Sequence, residues 1–142
     1  MDQRMSMVTL GVASVAAARR FYEALGWKAS SASQGDDVVF FQLNGMALSL
    51  FGRAALATDA AVTDSRPGFP GVALAQNLAS PEAVDAAFAQ ALAAGATALK
   101  SPVTAFWGGY SGYFADPDGH VWELAHNPFF PLDGAGNLLL PR

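Results

Sequence analysis

The side chains best suited to chemistry lie together near residue 120. The only two histidines of the chain, His120 and His126, flank Glu123, and imidazole and carboxylate groups bind metal ions and transfer protons. If residues 120–126 form one regular strand, alternation sends both histidines to the face opposite Glu123. A metal pocket made from these three residues is therefore disfavoured, and no other cluster has the spacing of metal ligands. We predict no bound metal and no cofactor.

Glu123, our candidate catalytic residue, has two interpretations. In the functional one, its carboxylate is a general base, or it anchors a cationic or hydroxylated ligand in a cleft. In the structural one, it is a strand residue that pairs with a tyrosine or an arginine, because an unpaired buried carboxylate is costly. The sequence leaves both interpretations open.

Aromatic residues and glycines alternate just before this strand. The cluster consists of Trp107, Gly108, Gly109, Tyr110, Gly112 and Tyr113. The rings would line a ligand pocket while the glycines let the loop move, or the rings are core and the glycines make bulges that bend the strand. We predict that at least one ring contacts a ligand. Weaker pocket candidates are Phe40, Gln42, Phe51 and Phe106.

Other reactive side chains have simpler explanations. Asp116 and Asp118 stand in a Pro-Gly turn, where local hydrogen bonding accounts for them. Ser49 has no evident histidine and carboxylate partners, and Ser111 lacks the strand, elbow and helix context of a serine hydrolase. We therefore predict no nucleophilic triad.

The composition excludes several classes of protein. The 142 residues are 52% hydrophobic and 14% charged, too apolar for a disordered chain. No uncharged stretch reaches the roughly 18 apolar residues of a membrane-spanning helix. The formal charge is −4, and no basic cluster is larger than Arg19-Arg20, so we expect no nucleic-acid partner. The absence of cysteine agrees with a reducing compartment, and we expect a cytoplasmic location.

The pattern of these elements occurs twice. A strand at 7–12 precedes a helix capped by Ser14 and ended by Gly26, and a strand at 72–78 precedes a helix capped by Ser80 and ended by Gly95. We interpret residues 1–26 as mature structure rather than a targeting peptide, since the same pattern recurs deep in the chain. Strands are predicted after the two helices at 27–33, 38–43 and 46–51, and at 97–100, 110–115 and 121–126.

These elements predict a single α+β domain, 1–142, built from two βαβββ modules that form a half-open curved sheet. Module one is 7–52, a linker follows at 53–70, module two is 71–126, and the tail is 127–142. The tail adds the apolar residues Phe129, Phe130 and 138–140, which need cover. We expect a homodimer.

Three segments, VTLGV, RRFYEALGW and WGGYSGYFADPDGHVWELAHNP, resemble the vicinal oxygen chelate superfamily, the group of glyoxalases, bleomycin resistance proteins and extradiol dioxygenases. The resemblance covers residues 7–128. It implies paired βαβββ modules, dimers and, in the metal-dependent enzymes, four cation ligands on four strands. Those ligand positions fall at Met7 or Thr9, at Ser49, at Gly71 and at Glu123. Only Glu123 keeps a ligand type, so the chain resembles a member that lacks most metal ligands.

Three hypotheses for function follow. The first is a protein that binds a small organic molecule in an aromatic-lined cleft without metal, with cationic ligands modestly favoured by the acidic surface. Its predicted contacts are Trp107, Tyr110, Tyr113, Phe51, Ser49, Thr9 and Gln42. The second is a lyase, isomerase or dioxygenase of the same superfamily, using unrecognised metal ligands or Glu123 as base. The third is a dimeric interaction module whose cleft is packed core.

Overall fold

The computed structural model describes residues 5–65, 68, 70, 72–106 and 108–140. Two β-sheets, one of three strands and one of four, combine with three helices in those residues. The predicted α+β class is therefore confirmed. The chain divides into two compact units, residues 1–70 (unit 1) and 71–142 (unit 2).

Unit 1 contains β1 (Met7–Val12), α1 (Val15–Ala24), β2 (Val38–Gln42), β3 (Ala47–Gly52) and α2 (Arg53–Asp59). Its sheet has the order β1-β3-β2, in which β3 pairs parallel with β1 and antiparallel with β2. The Ser14 hydroxyl caps α1 by accepting from the Ala17 N–H at 3.2 Å, as predicted. Residues of α1 and of one sheet face form the buried core: Leu10, Val12, Val15, Ala18, Phe21, Tyr22, Val39, Phe41, Leu48 and Leu50.

The strand predicted at 27–33 is wrong. That segment makes one isolated bridge, Ala29 to Phe41, and a second bridge, Gln34 to Val38, follows directly after it. The Ser33 hydroxyl accepts from the Phe40 N–H at 3.0 Å, which takes a ladder donor of β2 away from any neighbouring strand. Serine side chains compete with backbone acceptors for such N–H donors, so this serine-rich segment does not form a continuous ladder with β2.

Unit 2 contains β4 (Ala73–Asn77), α3 (Pro81–Ala94), β5 (Thr97–Thr104), β6 (Tyr110–Ala115) and β7 (Val121–His126). Its sheet order is β4-β7-β6-β5. As in unit 1, the first strand pairs parallel with the last, and the last pairs antiparallel with the one before it. The predicted repeat is thus present in the strand order, and the predicted strands 110–115 and 121–126 have the observed bounds.

Strand β5 is longer than predicted and irregular. It continues to Thr104, and its pairing with β6 shifts between Ala98 and Lys100 and again between Lys100 and Val103. Gly112 of β6 lies against this irregular stretch, since a Cβ at Gly112 would come within 2.8 Å of the Pro102 nitrogen. The structural interpretation of the glycine cluster therefore applies to Gly112, where a side chain is excluded by a neighbouring backbone.

Helix α2 begins the segment that we expected to be a linker. It ends in a Schellman motif: Ala61 N–H donates to Thr58 O at 3.1 Å, and Val62 N–H donates to Ala57 O at 2.9 Å. Ala61 occupies the left-handed position with φ 55, and it is the only non-glycine residue with positive φ in the described part of the chain.

We expect Ala61→Gly to stabilise the protein by about 1 kcal/mol, because a Cβ in the left-handed region costs roughly that much. Ala60 is the matched control, since its φ of −78 is an ordinary helical angle. Ala60→Gly should leave stability unchanged or lower it. Urea unfolding of the two variants measures the difference, and equal effects would contradict strain at Ala61.

Within the described residues, no helix has the length and apolar character needed to cross a membrane.

Candidate functional site

The face of the unit 2 sheet that points away from α3 carries a tyrosine and a carboxylate side by side. Tyr113 of β6 and Glu123 of β7 are direct cross-strand partners, and Ala75 of β4 is the partner of Glu123 on its other side. Directly opposed residues have Cβ atoms about 5 Å apart, so their side chains can interact. Both side chains are half-buried.

The interaction of the Tyr113 hydroxyl with the Glu123 side chain is the largest cause of a raised pKa of Tyr113, with burial and the nearby negative charge adding to it. This interaction favours the neutral phenol because a phenolate would repel the carboxylate. Tyr113 is thus the tyrosine partner that the structural interpretation of Glu123 predicts.

Small side chains surround this pair on the same face. The register places seven residues next to or diagonal to Glu123: Ala73, Ala75, Asn77, Ser111, Ala115, Val121 and Ala125. Three of them, Ser111, Ala115 and Ala125, are buried. Tyr113 and Glu123 are therefore the two longest side chains in this part of the face.

Tyr110 and His126 lie on the other face of this sheet, which α3 covers. The Tyr110 hydroxyl donates to Asp85 Oδ1 of α3 at 2.8 Å, and this bond raises the pKa of Tyr110. His126 Nδ1 lies 3.1 Å from the Leu78 carbonyl oxygen. The predicted separation of His126 from Glu123 by strand alternation is confirmed, and the structure separates Tyr110 from the Tyr113–Glu123 pair.

His120 lies outside β7, in the turn between β6 and β7. Its Nδ1 lies 2.8 Å from Asp116 Oδ2, and the side chain of Asp116 is completely buried. Asp116 Oδ1 also accepts from the N–H groups of Asp118 and His120 at 3.0 and 2.8 Å. Asp116 and His120 therefore organise the turn, as predicted for the acidic pair.

We expect two tyrosine pKa values to respond separately to two substitutions. Glu123→Gln removes the charge beside Tyr113 and should lower the pKa of Tyr113 toward its ordinary value, leaving Tyr110 unchanged. Asp85→Asn should do the reverse, because Tyr110 donates to Asp85. A pH titration followed by NMR of tyrosine labelled with ¹³C at Cζ distinguishes the two residues. If one substitution moved both pKa values equally, the assignment of the two bonds to opposite faces would be wrong.

The raised tyrosine pKa values also set the sign of the pH dependence. A phenol whose pKa is higher in the folded than in the unfolded chain holds its proton longer when folded. Its stabilising contribution is present below the unfolded pKa of about 10 and is lost as the pH rises through the folded pKa.

Unit 1 has an equivalent row of residues on the face opposite α1. Thr9 of β1, Ser49 of β3 and Phe40 of β2 are cross-strand partners in the same order as Ala75, Glu123 and Tyr113 in unit 2. Phe51 lies on the same face, two residues along β3. The structure thus brings together Thr9, Ser49 and Phe51, three of the predicted contacts, with Ser49 only 2% exposed.

Gln42 points its amide at the neighbouring hairpin turn. Its Nε2 donates to the carbonyl oxygens of Leu43 and Met46 at 2.7 and 3.0 Å. Two donors are thereby used within the hairpin, which gives Gln42 a structural explanation.

Helix α2 packs on the Gly11 end of the same face. A Cβ at Gly11 would come within 3.3 Å of Arg53 Cα and Leu56 Cδ2. Arg53 pairs with Asp64 at 2.7 Å, and a hydrogen bond between them raises the pKa of Arg53. The packing of α2 against Gly11 was not predicted from the sequence. The glycine in VTLGV was the available signal, because a strand glycine marks close approach of another backbone.

The donor set does not fit a metal site of the kind the resemblance implies. Thr9 and Ser49 are neutral hydroxyls, and Met7 is a thioether, whereas divalent cations of this class need imidazole or carboxylate ligands. Nowhere in 5–65, 68, 70, 72–106 or 108–140 do three His, Cys, Asp or Glu side chains converge to hold an ion. Gly71 lies outside the described residues, as does Trp107, whose predicted ligand contact stays a prediction. Phe106 is fully exposed.

The α+β unit is repeated: in each copy the first strand pairs parallel with the last, and the helix after the first strand packs on one face of the sheet. This arrangement defines a duplicated βαβββ-type protein. The model of the Glyoxalase/Bleomycin resistance protein/Dioxygenase superfamily matches residues 4–124. The chain belongs to this superfamily.

Solved structures support the assignment. A glyoxalase-related enzyme from Fulvimarina pelagi is 34% identical, with a TM-score of 0.88 over 99% of this chain and 100% of that chain. A glyoxalase/bleomycin resistance protein/dioxygenase family enzyme from Burkholderia phytofirmans PsJN is 20% identical, with a TM-score of 0.76 over 85% of this chain and 96% of that chain. A lactoylglutathione lyase from Agrobacterium tumefaciens is 20% identical, with a TM-score of 0.64 over 89% and 95%. The last two likenesses concern the fold alone. No curated protein gives a significant match.

Proposed function

We propose that this protein binds a small organic molecule at the Tyr113–Glu123 pair, without a metal ion. The observation that carries the proposal is the cross-strand pair of a tyrosine and a carboxylate, both half-buried, on the α3-free face of the unit 2 sheet. The Tyr113 ring offers an apolar surface against which a ligand can pack.

Unit 1, taken by itself, has aromatic residues on its corresponding face. Phe40 and Phe51 are half-buried there, beside the hydroxyls of Thr9 and Ser49. Apolar walls with a few placed polar groups are typical of small-molecule sites. Metal independence is proposed because the hydroxyl and thioether side chains at the ligand positions are poor ligands for divalent transition metals.

A thermal-shift screen of small organic compounds, on protein treated with a chelator, tests the proposal. A ligand that binds the folded state raises the melting temperature by mass action. We expect hits whose shift is lost in Glu123→Gln and in Tyr113→Phe but kept in Tyr110→Phe, since Tyr110 lies on the α3 face. Thermal shifts that persist in both Glu123→Gln and Tyr113→Phe, or that are lost equally in Tyr110→Phe, would contradict the site.

Elemental analysis of the purified protein tests metal independence separately. We expect no stoichiometric transition metal after ordinary purification, and one Zn, Ni, Fe or Mn ion per chain would overturn this part of the proposal.

The same pair favours a second candidate function, a Glu-based lyase or isomerase. A carboxylate beside a phenol that keeps its own proton is placed to take a proton from a bound ligand, with Tyr113 positioning the carboxylate. If this is the function, a hit from the screen should exchange a carbon-bound hydrogen in deuterated water. Glu123→Gln should abolish the exchange, and absence of exchange for every hit leaves the binding function alone.

We propose further that the protein is a cytoplasmic homodimer. The tail exposes Phe129, Leu139 and Leu140, and clustered apolar side chains at a surface favour association. Light scattering at micromolar concentration should give twice the chain mass of 14.8 kDa. A monomer under those conditions would refute the dimer.

A further inference from the structure

We propose that the Asp116–His120 pair makes the turn between β6 and β7 sensitive to pH, so that the turn is most stable while His120 carries a positive charge. The turn joins Ala115 and Val121, which close the β6–β7 ladder as cross-strand partners. This inference goes beyond the proposed function and does not depend on it.

The Asp116 carboxylate is held by donors of the turn itself. Its Oδ1 accepts from the N–H groups of Asp118 and His120 at 3.0 and 2.8 Å, and its Oδ2 lies 2.8 Å from His120 Nδ1. Hydrogen bonds from N–H groups favour the ionised form of a carboxyl group. Because an ionised carboxylate only accepts, Nδ1 of His120 carries a hydrogen, and Nε2 is the ring nitrogen that gains or loses a proton with pH.

Burial makes the charge of His120 important. The Asp116 side chain is completely buried, whereas the His120 side chain is 20% exposed. Partial burial of an imidazole by itself opposes protonation. Here, however, the cation forms next to a negative charge that is already buried and that is costly without a partner. The opposite charge at 2.8 Å outweighs the partial desolvation, and the hydrogen bond becomes charge-assisted.

The other charges around the turn do not replace His120. Asp118, within the turn, is a second acid, and β4 carries no charged residue. Lys100 of β5 is paired in register with Tyr113, three residues before Asp116. No lysine or arginine of the described strands and helix of unit 2 therefore lies at the turn. The titratable groups of these elements lie farther along them: Glu82 and Asp85 of α3, Lys100 of β5, Tyr110 and Tyr113 of β6, and Glu123 and His126 of β7.

The sign of the pH dependence follows from this pairing. We expect His120 to titrate above about pH 6.5, the ordinary midpoint of an imidazole. The stability gained from the charged pair is then fully present below the unfolded midpoint and is lost as the pH rises through the folded midpoint. Loss of the proton leaves the bond from Nδ1 to Asp116 but removes its charge.

The titration of the two histidines tests the inference in the unmodified chain. His120 and His126 are the only histidines, so their ring nitrogens can be followed separately by ¹H–¹⁵N NMR from about pH 5 to about pH 9. We expect the amides of Asp118 and His120 to shift with the midpoint of His120. Asp116→Asn should lower that midpoint and leave the titration of His126, which faces the Leu78 carbonyl oxygen, unchanged. A His120 midpoint at or below about 6.5 in the parent protein would overturn the inference, whether or not the variant folds.

Melting temperatures test the consequence for stability. Between about pH 6 and about pH 9, the melting temperature of the parent should fall by about 4 °C more than that of His120→Asn. The asparagine amide can still donate to Asp116 but carries no charge. His126→Asn is the matched control, which removes the other histidine and should keep the larger fall. An equal fall in the parent and in His120→Asn, or a fall reduced only in His126→Asn, would overturn the inference.

Discussion

Gly112→Ala is expected to destabilise the protein by about 2–3 kcal/mol, the cost of forcing atoms into a packed region. The added Cβ would lie 2.8 Å from the Pro102 nitrogen and 2.9 Å from Pro102 Cδ and Cγ. Because the nearest atom belongs to the backbone of β5, no side-chain rotation relieves the overlap. Thermal unfolding should show a melting temperature lower by roughly 5–10 °C.

Gly134→Ala is the matched control. No atom lies within 4 Å of a Cβ at Gly134, and its φ is not in the left-handed region, so the change should alter stability by less than about 0.5 kcal/mol. Replacing Pro102 by alanine in the Gly112→Ala background should restore little, since the backbone nitrogen remains. A Gly112→Ala protein as stable as the parent would mean that β5 does not approach β6 as described.

Asp116→Ala is expected to cost about 3 kcal/mol. The buried carboxylate accepts two backbone N–H groups and holds the ring of His120. Without it, donors in a water-poor turn lose their acceptors, and each unsatisfied buried donor costs on the order of 1–3 kcal/mol. Urea unfolding measures the loss, and NMR should show the change centred on the turn between β6 and β7.

Asp133→Ala is the matched control, because Asp133 accepts a similar set of hydrogen bonds at the surface. Asp133 accepts from Ala135 N, Asn137 N and Asn137 Nδ2 at 2.8–2.9 Å, and these bonds lower the pKa of Asp133. It is exposed, so water can replace the carboxylate, and we expect a much smaller loss than at Asp116. Equal losses at the two positions would show that burial is not what makes Asp116 important.

The sequence predicted the parts of this protein that depend on short-range patterns. Alternation placed Glu123 and His126 on opposite faces, and cap residues fixed the starts of α1 and α3 at Ser14 and Ser80. The segment 27–33 looked like a strand because its residues are compatible with one, but the bond from Phe40 N–H to Ser33 could not be read from composition.

The candidate site was predictable only in part, because its contacts join distant segments. Tyr113 and Tyr110 looked equivalent in GYSGY, yet Tyr113 is the cross-strand partner of Glu123, whereas the Tyr110 hydroxyl donates to Asp85, 25 residues away. The placement of Lys100 depends on two register shifts in β5, of which only the second has a sequence signal, Pro102, which lacks a ladder donor. Helix α2 was missed since its short sequence, RAALATD, follows a strand without a side-chain cap.

The two copies of the unit differ in polarity at equivalent register positions. The rows compared are Thr9–Ser49–Phe40 in unit 1 and Ala75–Glu123–Tyr113 in unit 2. Ser49 is nearly inaccessible to water, so an ionised group there would lose its hydration, whereas Glu123 keeps partial contact with solvent. A charged side chain at this place therefore costs less in the second copy than in the first. Natural variants with altered ligand preference are accordingly expected to differ first in β6 and β7 and only later in β2 and β3.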